Sequence, residues 1–284
     1  MALNFIPTIW AARLLSALQK TLVYGQSDVV NRDYEGEIKQ AGDSVKIATI
    51  GEITVGDYTK DSDMTVQTLD DADQMLTISQ SKYFNFVVDD VDQAQQNVST
   101  LVEAMNRAGY RIKDLADQFI AGHYIYAPTD TGVGDDTTPL NALASNVAYQ
   151  LLVDLGVKLD ERDIPSDGRF VIIPPFFHGA LLKDDRFVKT GGSQAENRLV
   201  NGMVGEAAGF KVLKSNNVPN TSGTKYKVIA GHSMGFSYAE QIVKVETYKP
   251  EKRFGDGVKG LHVYGGKLIR PQAWAVGTVN NAAA

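Results

Sequence analysis

The sequence predicts an α+β fold, and three observations lead to that prediction. Residues 43–88 alternate apolar and polar side chains, as strands with one covered face do. Residues 90–121 repeat apolar side chains every three or four positions, which is typical of an amphipathic helix. After residue 138 helix and strand patterns mix, and residues 242–279 return to strands separated by glycine turns.

Composition narrows the class of protein. The 284 residues are 43% hydrophobic and 22% charged, which is enough apolar material for one large domain or two moderate ones. The net charge of −6 disfavours nucleic-acid binding as the main activity. With no Cys, disulfides, thiolate metal sites and a Cys nucleophile are excluded. The longest apolar stretch, residues 5–18, is interrupted by Arg13, so neither a membrane span nor a signal peptide is expected.

The chain opens with a short helix. Pro7 suits its first turn, apolar residues follow at helical spacing up to Leu18, and Gly25 is a natural stop. A short amphipathic helix at a terminus needs a surface to cover its apolar stripe. Packing on its own domain and packing on a neighbouring subunit are equally compatible with the pattern.

The strands in 43–88 predict a long two-stranded ribbon that must lie on another surface, because such a ribbon is marginal alone in water. Between Gly51 and Asp73 it carries seven acids and one base, Lys60, for a net charge of −6. Residues 244–270 carry seven bases and three acids, for a net charge of +4. The acidic run is either a solvated loop or a docking arm that seeks a basic partner surface. The docking interpretation predicts these intersubunit residues: Asp57, Lys60, Asp61, Asp63, Lys249, Lys252, Arg253 and Lys259.

The remaining elements follow in order. The helix at 90–121 is capped by Asp89 or Asp90 and ended by Gly122, with a kink or break expected at Gly109. The polar loop 127–138 is the best domain boundary. Beyond it the patterns predict a helix from Pro139 to Gly156 and strands at 170–173, 210–213 and 226–230.

One motif suggests an alternative function, a serine acyl hydrolase. Residues 231–235 read G-x-S-x-G, the nucleophile elbow, with Ser233 as the nucleophile. Three observations count against a hydrolase. Only 51 residues follow Ser233, and His262 is the only later histidine. The residues after the motif soon alternate as in a strand, where the hydrolase fold requires a helix. The four histidines are scattered and show no metal-ligand spacing, so no metal site is predicted either. We expect the two glycines to make turns beside strands.

Four stretches resemble a known family: residues 4–15, 29–36, 42–47 and 209–219. They are similar to the actinophage-type members of the major capsid proteins of tailed bacteriophages, which have the Hong Kong 97-type fold. The order of arm, acidic ribbon, long helix, α/β middle and basic β-rich end also matches that family. The resemblance covers essentially the whole chain.

The resemblance implies a structural protein that is not an enzyme and has no cofactor. It implies four units: an N-arm, an E-loop with the ribbon, a P-domain with the long spine helix, and an α/β A-domain. Their expected ranges are 1–30, 31–88, 89–137 with 240–284, and 138–239, respectively.

The resemblance also implies partners. Copies would form hexamers and pentamers that close an icosahedral shell around double-stranded DNA, without sequence-specific contact. The sequence begins at the arm, so the resemblance implies either that a scaffolding segment before it was cleaved or that a separate scaffolding protein is used. A portal and a decoration protein are further expected partners. The expected location is the virion, after assembly in the host bacterial cytoplasm, with no membrane partner.

Overall fold

The architecture is that of a computed structural model. It describes residues 22–34, 44–50, 57, 60, 71–89, 99–144, 146–184, 203–250 and 255–281. Within these ranges the helices are α1 (Ser99–Gly122), α2 (Val147–Asp160) and α3 (Pro175–Leu181). Among these residues no helix is both long and apolar enough to cross a membrane.

A two-stranded ribbon confirms the strand prediction for part of 43–88. It consists of β1 (Ser44–Ile50) and β2 (Asp71–Thr77), which pair antiparallel from Ser44 opposite Thr77 to Ile50 opposite Asp71. The alternation predicted around residues 65–69 lies outside the described residues.

A three-stranded antiparallel sheet has the order β10-β11-β3, with β3 at Gln80–Asp89, β10 at Phe236–Tyr248 and β11 at Gly255–Leu268. Helix α1 packs on it through a cluster that includes Met105 and Ile112 of the helix and Val258 of β11. The helix ends at Gly122, as predicted, and its residues before Ser99 lie outside the described ranges. It continues through Gly109, so of the predicted kink or break the break is wrong, and the kink stays a prediction. One glycine destabilises a helix by only about 1 kcal/mol, which the hydrogen bonds of the flanking turns offset.

The largest sheet is mixed, and its strands run in the order β4-β12-β9-β5-β7-β6, with β8 added beside β9. Strand β5 is buried at all five positions, as a central strand with both faces covered must be. The strands of this sheet are β4 (Leu140–Asn141), β5 (Arg169–Ile173), β6 (Met203–Ala207), β7 (Phe210–Lys214), β8 (Asn220–Thr221), β9 (Lys225–His232) and β12 (Trp274–Asn280). The predicted strands at 170–173, 210–213 and 226–230 are confirmed as β5, β7 and β9.

The second helix differs from its prediction at both ends. It begins at Val147 because Leu140 and Asn141 form β4 and pair with β12, which takes the first residues out of the helix. It continues past Gly156 because that glycine faces the core, where a Cβ would lie 3.5 Å from the Phe210 ring. Gly156 therefore lies inside the helix and against Phe210, at a distance that an alanine would also allow, and it does not end the helix.

Strand pairing crosses two of the predicted domain boundaries. Strand β3 falls in the segment 31–88 but pairs with β11, and β12 falls in 240–284 but pairs with β9. A core of aromatic residues lies where the two larger sheets meet. There Trp274 stacks on Phe236 at 5.3 Å between ring centres and meets Phe170 edge to face at 6.5 Å.

Candidate functional site

The base of the ribbon is packed onto the three-stranded sheet of its own subunit. Val45 and Leu76 share a buried cluster with Val263 of β11. The two backbones approach closely at Gly265, where a Cβ would lie 2.5 Å from the carbonyl oxygen of Thr77. As predicted, the ribbon lies on another surface, and the contact fixes its base.

The predicted intersubunit residues fall into two groups. Asp57 and Lys60 lie between β1 and β2, Lys249 follows β10, and Lys259 lies on β11; all four are exposed. The remaining four lie outside the described residues: Asp61, Asp63, Lys252 and Arg253. The structure thus brings Lys249 and Lys259 to one hairpin, while the acid–base contacts between subunits stay a prediction.

Lys259 has partners within its own subunit. Its Nζ lies 3.0 Å from Glu246 Oε2, the residue opposite on β10, and 5.6 Å from the centre of the Tyr248 ring. Both ends of this ion pair remain partly exposed, and such pairs stabilise a fold by only about 0–1 kcal/mol. A neighbouring carboxylate could therefore share Lys259 at little cost.

A groove of about 320 Å³ lies beside Lys259. Its lining includes Tyr83, Asn85, Glu246 and Leu261. Side chains two residues apart share a face of a strand, so Lys259, Leu261 and Val263 continue the face that the ribbon base covers. Tyr83 is 80% exposed there, and an exposed aromatic residue beside an apolar groove is typical of a surface that another protein covers.

The G-x-S-x-G motif does not form a nucleophile elbow. Ser233 starts a one-turn 3₁₀ helix, Ser233–Gly235, that leads directly into β10, where a hydrolase would need a helix. The His232 ring accepts a hydrogen bond from the Met234 N–H at 3.1 Å, and His262 lies beside Glu240. The motif therefore lacks the arrangement of acid and base that would activate a serine.

Replacing Ser233 is expected to change little. Ser233→Ala should leave the melting temperature within about 1–2 °C of the wild type, because Ser233 is only partly buried and substitutions outside the core usually shift stability by no more than ~0.5 kcal/mol. Particle formation, measured by sedimentation, should also be unchanged. Hydrolysis of an activated ester that disappears in this variant would contradict the structural interpretation.

A buried polar network, which sequence reasoning missed, joins residues 22–34 to the three-stranded sheet. Arg32 Nη1 lies 3.0 Å from Glu240 Oε1, the Tyr238 hydroxyl donates to Oε2 at 2.9 Å, and His262 Nε2 lies 3.3 Å from Oε2. Burial alone raises the pKa of Glu240, but the nearby His262 ring, the charge of Arg32 and the hydrogen bond from Tyr238 outweigh it and lower the pKa. An ionised Glu240 thus ties the N-terminal segment to the core.

Comparison with known proteins assigns the fold to a family. The sequence matches the phage capsid protein family over residues 52–277. A chain of Mycobacterium phage Che8 is similar in structure with a TM-score of 0.68 and 26% identity, over 97% of this chain and 98% of that one. The capsid structure of cyanophage P-SCSP1u is similar with a TM-score of 0.68 and 14% identity, over 93% and 90% of the two chains. The capsid of Ralstonia phage GP4 is similar with a TM-score of 0.64 and 12% identity, also over 93% and 90%. No curated protein matches the sequence.

The chain belongs to the phage capsid protein family. It is a major capsid protein of the tailed-phage type with the Hong Kong 97-type fold, and it forms the capsid shell. It is a structural protein and not an enzyme, in agreement with the geometry around Ser233.

Proposed function

We propose that copies of this chain assemble as hexamers and pentamers into a closed icosahedral shell around double-stranded phage DNA. The observation that supports this most strongly is the length of the family match, which runs from the ribbon through the three-stranded sheet to β12. Sedimentation and negative-stain electron microscopy of the purified protein test the proposal. Closed particles or isolated capsomers are expected, whereas a small monodisperse species under all assembly conditions would contradict it.

We propose that the four units have separate roles in the shell. The N-arm (1–30) and the E-loop region (31–88) reach neighbouring subunits, the P-domain (89–137 and 240–284) carries the spine helix α1, and the A-domain (138–239) points to the capsomer centre. The strand pairing favours assigning β3 to the P-domain and β12 to the A-domain, since each strand moves with the sheet to which it is hydrogen-bonded.

The acidic ribbon docks on the basic hairpin of a neighbouring subunit in this proposal. The ribbon base is held on its own subunit by apolar packing, so the acids between β1 and β2 are the part left for a neighbour. Lys249 and Lys259 are exposed on the β10–β11 hairpin, and Lys259 lines the groove at Tyr83. In a closed shell each ribbon meets an equivalent surface, so complementary charge on one chain sets the docking direction.

The further partners stay proposals: a separate scaffolding protein, a portal, a decoration protein and packaged DNA, with assembly in the host cytoplasm. The sequence predicts that the shell encloses DNA but binds it only weakly, because the net charge of the chain is −6.

Unassembled subunits are therefore expected to bind duplex DNA only weakly, with a Kd above about 1 μM at physiological salt, in the range of non-specific contacts. Fluorescence anisotropy of a labelled duplex, titrated at two salt concentrations, measures this. Submicromolar binding with a steep salt dependence would show a basic interior surface and contradict the prediction.

A further inference from the structure

The carboxylate of Asp117 on helix α1 holds three successive backbone amides of the N-terminal segment. Oδ2 accepts a hydrogen bond from Val23 N at 2.9 Å, and Oδ1 accepts from Tyr24 N at 3.1 Å and from Gly25 N at 3.2 Å. Asp117 is only 4% exposed, and Tyr24 is fully buried. Successive amides that converge on one anion form a strong and directional contact.

This contact joins parts of the chain that are far apart in sequence. The three amides lie 92 to 94 residues before Asp117, so the contact is not a helix cap or a local turn. The three amides also need this acceptor, because a buried N–H group without a hydrogen-bond partner destabilises the fold. Removing the carboxylate would leave all three amides without this acceptor.

Arg32 holds the same segment from the side opposite Asp117. Its Nε donates to the Gly25 carbonyl oxygen at 2.9 Å, and its Nη1 reaches Glu240 in the core. Gly25 is therefore held at both its N–H and its C=O, between the spine helix and the three-stranded sheet. The first 21 residues join the fold directly before this fixed point.

We propose that Asp117 is the positioning residue of the N-arm: its buried carboxylate fixes the backbone at 23–25 and so sets the point from which residues 1–21 reach a neighbouring subunit. The proposal rests on the proposed assembly role of the arm. Its anchoring part concerns a single subunit and is measurable without any shell.

The anchor should depend on pH, in a direction that follows from its surroundings. Burial raises the pKa of Asp117 to about 6, against the opposing effect of the three amide hydrogen bonds. The ionisable groups that act on it are Asp114 and Lys113 of α1 and Tyr24 of the segment.

Releasing the segment exposes the Asp117 carboxyl to water, so its pKa falls from about 6 toward the usual value of 3.8, and a proton is bound more tightly when the segment is docked. Docking is favoured below pH 6 and weakens as the pH rises through 6. Between pH 7 and pH 5 linkage predicts an anchor that is tighter by up to about tenfold, the limit reached when release exposes the carboxyl fully.

The test is amide hydrogen exchange of the full-length chain, kept as subunits and expressed as protection factors so that intrinsic exchange rates cancel. Asp117→Ala should lower protection at 23–25 at least about tenfold, because three amides lose their acceptor. Asp117→Asn removes the charge and keeps one acceptor oxygen. It should retain protection at 24 and 25 and lose the pH dependence that the wild type shows between pH 5 and 7.

Asp114→Asn is the matched control at pH 7, where Asp117 is ionised and the effect of Asp114 on its pKa matters little; Asp114 lies one turn earlier on the same helix and accepts from Asn217 Nδ2 at 2.8 Å. Unchanged protection at 23–25 in Asp117→Ala, or an equal loss in Asp114→Asn, would overturn the anchor. If Asp117→Ala does not fold, a wild-type protection at 23–25 that stays constant from pH 7 to pH 5 would overturn it instead.

Particle yield then tests the assembly part. The yield should fall in Asp117→Ala and recover in Asp117→Asn at the same protein concentration. Normal particles from subunits with a released segment would overturn the positioning role, while leaving the shell function of the wild type intact. A wild type that forms no particles would count against the proposed assembly and not against the anchor.

Discussion

Reversing Asp61 and Asp63 to Lys is expected to abolish or strongly reduce shell formation. The change moves the charge of residues 51–73 from −6 to −2 and places two cations where the proposal puts a basic neighbour. One exposed ion pair contributes only ~0.2–1 kcal/mol, but every subunit of a closed shell repeats the contact. Particle yield from sedimentation, compared at low and high salt, measures the effect, and wild-type assembly should itself depend on ionic strength.

The rescue variant makes this prediction specific. Reversing Lys252 and Arg253 to Glu in the same chain restores opposite charges across the contact and should recover part of the particle yield. Asp167→Lys, which reverses an exposed acid before β5 and adds two of the four charges, serves as a control for altered net charge and should assemble normally. If the fourfold variant is no better than the first, the acidic run is only solvated and the docking proposal fails.

The fold was predictable where one element carries its own long pattern. The apolar spacing of α1, the alternation in β1 and the unbroken apolar run of β5 each report the burial of their own residues, so local periodicity was sufficient. Strand β4 was not predictable, because two residues have no period and only their pairing with β12 makes them a strand. Gly156 was mistaken for a helix end because its packing partner, Phe210, lies 54 residues away.

In the candidate site, too, local features were predictable and long-range contacts were not. The charge of the ribbon and of the C-terminal hairpin is visible in composition, so the exposed candidates could be named from sequence. The partners of the buried carboxylates could not be predicted from the sequence, because only the fold brings Asp117 to Val23 and Glu240 to Arg32. A signal was nevertheless present: Asp117 lies on the apolar face of its helix, three residues before Ile120, and an acid in that position requires a partner.

Gly231 and Gly235, the two glycines of the G-x-S-x-G motif, are needed for packing. Both lie against Trp274, the large aromatic residue at the junction of the two sheets. A Cβ on Gly231 would lie 2.6 Å from the carbonyl oxygen of Ala273 and 2.7 Å from Trp274 Cδ1. Contacts this short cannot be relieved by a side-chain rotation alone, because one of the two atoms belongs to the backbone.

Gly231→Ala is therefore expected to destabilise the subunit by about 3 kcal/mol, at the upper end for overpacking a core. For a chain of this size the melting temperature should fall by roughly 6–12 °C, measured by calorimetry or circular dichroism. Ser233→Ala, two residues later in the same motif, is the matched control and should melt like the wild type. If Gly231→Ala also melts like the wild type, the junction at Trp274 has room for a methyl group and the glycines are not there for packing.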